Sequence, residues 1–132
     1  EIPILSLRKR SEYANVPVEI LGVSLFAGSA DDFLVSIVIN GTLTGAIWGD
    51  ISGICQKDSS SIVISGGTTI ASFYVKGSAG GAGERALRLL KEGLNTFLGS
   101  NLAGSSDIIS IVGKNLTATA SVYASLDYKE LV

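Results

Sequence analysis

Almost every apolar stretch of this chain has the length and period of a β-strand, and one alone has the period of a helix. That imbalance limits the fold more than any other feature. Glu19–Phe26 (EILGVSLF) sets Leu21, Val23 and Leu25 on one face. Phe33–Ile39 (FLVSIVI) is apolar on both faces, the mark of a strand inside a sheet. Leu43–Ile54 alternates, with Gly45, Gly49 and Gly53 pointing to bulges or close backbone approach. Ser61–Ser65 and Thr68–Lys76 read as further strands, the latter with Ala71, Phe73 and Val75 on one side. Ile108–Val112 precedes a turn at Gly113-Lys114-Asn115. From Leu116 to Asp127, Leu116, Ala118, Ala120, Val122, Ala124 and Leu126 alternate with polar residues, as in a strand with one buried and one wet face.

The helical stretch runs from about Gly83 to Leu98, where Leu87, Leu90, Leu94, Phe97 and Leu98 form one stripe and Gly99 supplies a stop. Turn signals at Ala30-Asp31-Asp32, Asn40-Gly41, Lys57-Asp58-Ser59 and Gly66-Gly67 favour short antiparallel connections. The expected fold is therefore mainly β: an antiparallel β-sandwich of immunoglobulin or fibronectin type with one amphipathic α-helix near residues 83–98. Residues 1–15 read as a strand-like arm and 16–132 as a single domain, in keeping with a length of 132 residues.

The pattern also decides a motif. Gly81-Ala-Gly83-Glu-Arg-Ala86 fits the G-x-G-x-x-A turn of a dinucleotide site, following a strand and opening the helix. Such a turn works at the end of a βαβ unit in a parallel sheet, which needs a crossover helix for nearly every strand. With one helix, Gly77–Gly83 reads as a connection between sheet and helix, and no cofactor is expected.

Composition narrows the chemistry. The chain has no His, so it lacks the usual general base and commonest metal ligand. Its single Cys, Cys55, reads as a small buried hydrophobe. Ser residues have no imidazole to activate them, and no S-x-x-K motif occurs. Asp31-Asp32 reads as a polar turn or as part of a calcium site, without a D-x-D-x-D-G loop to favour the latter. Asp50 and Asp107 could join such a site only through the fold. A net charge of -2 supplies no field for nucleic acid. No run of about 18 apolar residues is present to span a membrane. Catalytic residues, metal ligands and a small-molecule substrate are not expected.

Charged residues make up 17% of the chain, against about 25% in typical domains, which suggests a surface partly covered by neighbours. The absence of Met suggests a processed start, and with it an extracellular or cell-surface protein. Two N-glycosylation sequons, at Asn40 and Asn115, suit that location.

The N-terminal stretch Glu1–Arg10 (EIPILSLRKR) is the candidate functional element. Ile2, Ile4, Leu5 and Leu7 make it strand-like, and Pro3 confines it to an edge or to a strand's first residues. It reads either as an edge strand of its own sheet or as an assembly arm that adds to a neighbouring subunit. Arg8-Lys9-Arg10 then marks where the arm leaves the groove, or is a solvated charge run.

From Phe33 to Lys129, the order of features resembles the late-embryogenesis-abundant type 2 domain, also called the water-stress-and-hypersensitive-response domain. The carrying residues are FLVSIVIN, ending at Asn40; Ile64-Ser-Gly-Gly-Thr-Thr-Ile70 leading into ASFYV; the stretch ALRLLKEGLNTFL; and the pair around IVGKNLTATASVY. Asn40-Gly41 stands where that family has Asn-Pro. The resemblance implies a fibronectin-like sandwich and brings no catalytic residues.

The expected function is a non-catalytic structural subunit of a surface filament or similar self-assembly, joined by strand addition of the N-terminal arm. A monomeric stress-protection or binding module is the alternative, and a viral coat component a third reading.

Overall fold

The computed structural model describes residues 2–13, 16, 18–27, 33–51, 53–75, 96–98, 106–115 and 122–130. In chain order the strands are β1 (Ile2–Lys9), β2 (Val18–Ala27), β3 (Phe33–Ile39), β4 (Thr42–Thr44), β5 (Gly49–Asp50), β6 (Cys55–Asp58), β7 (Val63–Ser65), β8 (Thr68–Val75), β9 (Thr96–Leu98), β10 (Ile108–Asn115) and β11 (Val122–Glu130). A single turn of 3-10 helix, Ser11–Tyr13, follows β1. The chain is mainly β, as its strand-period segments require. Six strands form one sheet in the order β5-β6-β1-β10-β3-β8, three form another in the order β11-β2-β9, and β4 and β7 make a separate ribbon. All pairings are antiparallel.

The core cluster draws on both larger sheets. Leu7, Val35, Ile37, Cys55, Ile109 and Ile111 come from the six-stranded sheet, and Val18 and Ile20 from the three-stranded one. Leu126 and Tyr128 of β11 pack against them. β3 holds the interior position that its two apolar faces predict, between β10 and β8, with Val35 and Ile37 in the core and Val38 buried on the opposite face.

Several boundaries depart from the sequence pattern. Leu43–Ile54 is not one strand. Gly45 at φ 82° ends β4, and the Ile47 N–H turns away to Asp58 and Ser60. β6 covers residues that read as a turn, because its sequence CQKD has no apolar alternation and takes its strand form from pairing with β1. Gly113-Lys114-Asn115 is no turn: these residues continue β10 opposite Val35, Leu34 and Phe33. The expected helix is corrected at its end, where Thr96–Leu98 is a strand paired with Val18–Ile20. Cross-strand bonding to β2 prevails there over the helical spacing of Phe97 and Leu98. The remainder of that helix, the Gly77–Gly83 connection and Leu116–Ser121 lie outside the described residues; no α-helix occurs among the described residues.

The β3–β8 pair continues as the β4–β7 ribbon through a double corner. Asn40 takes φ 57°, and Gly66 and Gly67 take 67° and 79°. Gly67 is required twice over: its φ is left-handed, and a Cβ there would lie 2.7 Å from the Gly41 nitrogen and 2.8 Å from the Ile39 oxygen. The loop beyond β4 is tied down by Asp58. Its buried carboxylate accepts from the backbone N–H of Ile47 (2.9 Å) and Ser60 (3.0 Å), and from the hydroxyls of Ser60 (2.8 Å) and Ser61. Burial alone would raise the Asp58 pKa. The bonds from Ser61, Ile47 and Ser60 outweigh it and hold the group at about 2.

Three outcomes follow. Gly67→Ala should cost about 2 kcal/mol or more in denaturant unfolding. Gly49→Ala, where a Cβ meets nothing within 4 Å, should stay within about 0.5 kcal/mol of the parent. Because the folded pKa of Asp58 lies below its ordinary value of 3.8, its contribution is complete above about pH 4 and is lost as pH falls towards 2. Asp58→Asn should flatten that part of the stability–pH curve measured by urea unfolding at fixed ionic strength.

Candidate functional site

The N-terminal strand is where the sequence placed function, and its position is not the expected edge. β1 lies inside the six-stranded sheet, paired with β10 on one side and β6 on the other. Pairing with β10 runs from Ile2 to Arg8, opposite Gly113 to Ile108. Pairing with β6 covers Ser6–Lys9 only, opposite Asp58–Cys55. Pro3, which has no N–H to give, therefore lies in the part of the strand that β6 does not flank.

The four aliphatic residues do not act alike. Leu7 is 3% exposed and belongs to the core, whereas Ile2 is 58% exposed. Ile4 and Leu5 are half-buried and pack against the core cluster. A bulge between Pro3 and Leu5 is the reason, since the register with β10 skips Ile4. The Ile4 side chain lies beside Gly113, with its Cδ1 3.0 Å from where a Cβ would stand. On the opposite face from Leu7, Ser6 and Ser110 are both buried and share a hydrogen bond of 2.8 Å.

Arg8-Lys9-Arg10 is neither a solvated run nor a simple exit. Lys9 is 3% exposed, opposite Cys55, with its ammonium donating to the Val16 carbonyl at 3.0 Å. Burial lowers the pKa of Lys9, opposed by the nearby Asp107 and Cys55. The Lys9 N–H donates to the Ser106 hydroxyl at 3.0 Å. The Arg8 guanidinium lies over the Trp48 ring, 4.2 Å from its centroid, and its Nε–H donates to Gln56 Oε1 at 3.0 Å. The Arg10 N–H donates to the Ile54 carbonyl at 2.6 Å. Sequence reasoning missed the buried Lys9, although its two-residue spacing from Leu5 and Leu7 carried the signal.

The other candidates are scattered. Asn40 holds the start of β10: its Nδ2 donates to Asp107 at 2.9 Å and its Oδ1 accepts from the Ile108 N–H at 2.9 Å. Asn115 is the last residue of β10, opposite Phe33. Asp50 accepts from Gln56 Nε2 at 2.8 Å. Asp31 and Asp32 lie outside the described residues. Cys55 is fully buried in the core. Among the described residues no three of His, Cys, Asp and Glu are grouped to hold a metal, and no helix is long and apolar enough to cross a membrane.

No protein-family model, curated protein or solved structure matches this chain.

The buried serine pair tests how tightly β1 is seated. Ser6→Ala leaves the Ser110 hydroxyl without its partner and should cost about 1–3 kcal/mol. The double variant Ser6→Ala/Ser110→Ala should cost less than the sum of the two single changes, read from urea midpoints at unchanged slope.

Proposed function

We propose that this protein is a non-catalytic structural subunit that self-associates by exchange of its N-terminal strand, the slot between β6 and β10 receiving β1 from a neighbour. The observation that carries this reading is the occupancy of an interior slot by the strand nearest the N-terminus. Such a slot bonds its occupant on both edges and takes Leu7 into the core. A strand delivered by a second copy would make the same contacts, so exchange would change only the hinge from Arg10 to Val18. Burial of Leu7 alone would contribute about 1.5–3 kcal/mol to the joint. The lack of His and the low charge support a non-catalytic, surface-assembled role, and the proposed setting is extracellular or at a cell surface. We further propose that the two larger sheets stack as a sandwich, which the shared core supports, and that Leu87, Leu90 and Leu94 line a helix ending before Thr96.

Bonds among Lys9, Arg10, Tyr13 and Val16 favour a second reading. Tyr13 N–H bonds to Arg10 O and Val16 N–H to Tyr13 O, both at 2.9 Å, and Lys9 grips the Val16 carbonyl. These bonds support β1 closing on its own chain, as in the monomeric stress-protection or binding module that the family resemblance implies. A viral coat component is a third form of the structural reading.

Sedimentation and electron microscopy of the full chain over a wide concentration range, beside a chain lacking residues 1–10, separate them. Strand exchange predicts ordered polymers of the full chain. It also predicts a truncated chain that stays monomeric and takes up a Glu1–Arg10 peptide supplied in trans. A full chain that remains monomeric at high concentration overturns the assembly reading and leaves the self-closed module.

A further inference from the structure

Where β1 ends, a cavity of about 420 Å3 opens between Arg8, Arg10, Glu12, Gln56, Ser106 and Ile108. Its volume falls within the range of small-molecule sites, about 300–1,000 Å3. Its chemistry is one-sided. Two guanidinium groups face it, and among the described residues Glu12 is the one carboxylate on its wall.

Arg8 is fixed in place but not neutralised. Trp48 stacks on it, and its Nε–H is taken by Gln56, whose own amide is oriented by Asp50. Among the described residues, its two terminal Nη groups donate to none and no carboxylate lies within ion-pair distance of it. Burial lowers its pKa, the sign of a charge desolvated without a compensating anion. Arg10 is only loosely engaged, at 3.5 Å from Glu12 and 3.9 Å from Asp50. The two Nη groups of Arg8 are thus available as forked donors, those of Arg10 are held only by long contacts to Glu12 and Asp50, and forked donors match the paired oxygens of carboxylates and phosphates.

We propose that this cavity binds a small molecule through an oxyanion group, a carboxylate or a phosphate, held between Arg8 and Arg10. Gln56 positions Arg8, and Glu12 is the competing anion that the ligand displaces from Arg10. Arg8 belongs to β1, so the site forms with β1 supplied by its own chain or by a second copy, because the contacts to Trp48 and Gln56 are the same in both.

Trp48 is the only Trp of the chain and touches Arg8, so its fluorescence reports on the site directly. The folded full-length protein is titrated with inorganic phosphate and, separately, with succinate, with chloride at matched ionic strength as the control. A saturable change with phosphate, succinate or both, absent with chloride, is expected, and the responding ligand identifies the source of the oxyanion. Arg10→Gln should weaken binding about tenfold through loss of a charge-assisted pair. Glu12→Gln should tighten it several-fold, and Lys114→Gln, at the far end of β10, should leave it unchanged. Arg8→Lys, which keeps the charge but loses the fork, should also weaken binding about tenfold. If Arg8→Lys fails to fold, the opposed effects of Arg10→Gln and Glu12→Gln carry the test. No saturable response to either ligand, or an affinity indifferent to Arg10 and Glu12, overturns the proposal.

Discussion

Hydrogen bonding of β1 along both of its edges is the constraint on which the larger sheet rests. β10 and β6 do not touch each other in the strand order; β1 alone joins them. Without it, the β5–β6 segment would lose its place, and Ile54 and Cys55 would leave the core with it. The strand brings together parts of the chain about fifty residues apart at positions 55–58 and 108–113. The entropy of closing such loops must be offset by packing, and Leu7 with the Ser6–Ser110 bond lies at that junction.

Among the described residues, two charged side chains, Asp58 and Lys9, are buried. Asp58 is buried and saturated by serine hydroxyls and backbone N–H groups, so a carboxylate replaces the missing partners of an irregular loop. Lys9 is buried with its ammonium satisfied by a carbonyl of the hinge. Arg8 is held by stacking and by an amide. These three residues cluster around β1 and β6, so the order of that region depends on polar geometry as much as on apolar area.

Much of the fold was legible in local pattern. Phe33–Ile39 and Thr68–Lys76 appear almost as their alternation requires, and Asn40-Gly41 and Gly66-Gly67 are turns because left-handed backbone favours Asn and Gly. The misreadings share one cause. CQKD, Gly113–Asn115 and Thr96–Leu98 carry no strand signal of their own and are strands because a partner satisfies their backbone groups. The candidate site was legible in part: the N-terminal strand stood out by its aliphatics, while its bulge, its second neighbour and the stacking of Arg8 on Trp48 depend on residues far along the chain.

The sequence by itself determined that the chain would be mainly β and antiparallel, because period-two alternation and turn residues act over a few positions. It also determined that imidazole and dithiol chemistry are absent, because no His and only one Cys are present. The tertiary structure alone decided that β1 is an interior strand, that Lys9 is buried, and that Arg8 and Arg10 share a cavity with Gln56 and Ser106. Those facts arise from pairing between distant segments, and the side-chain period of a strand specifies which face is turned inward but not which strand lies beside it.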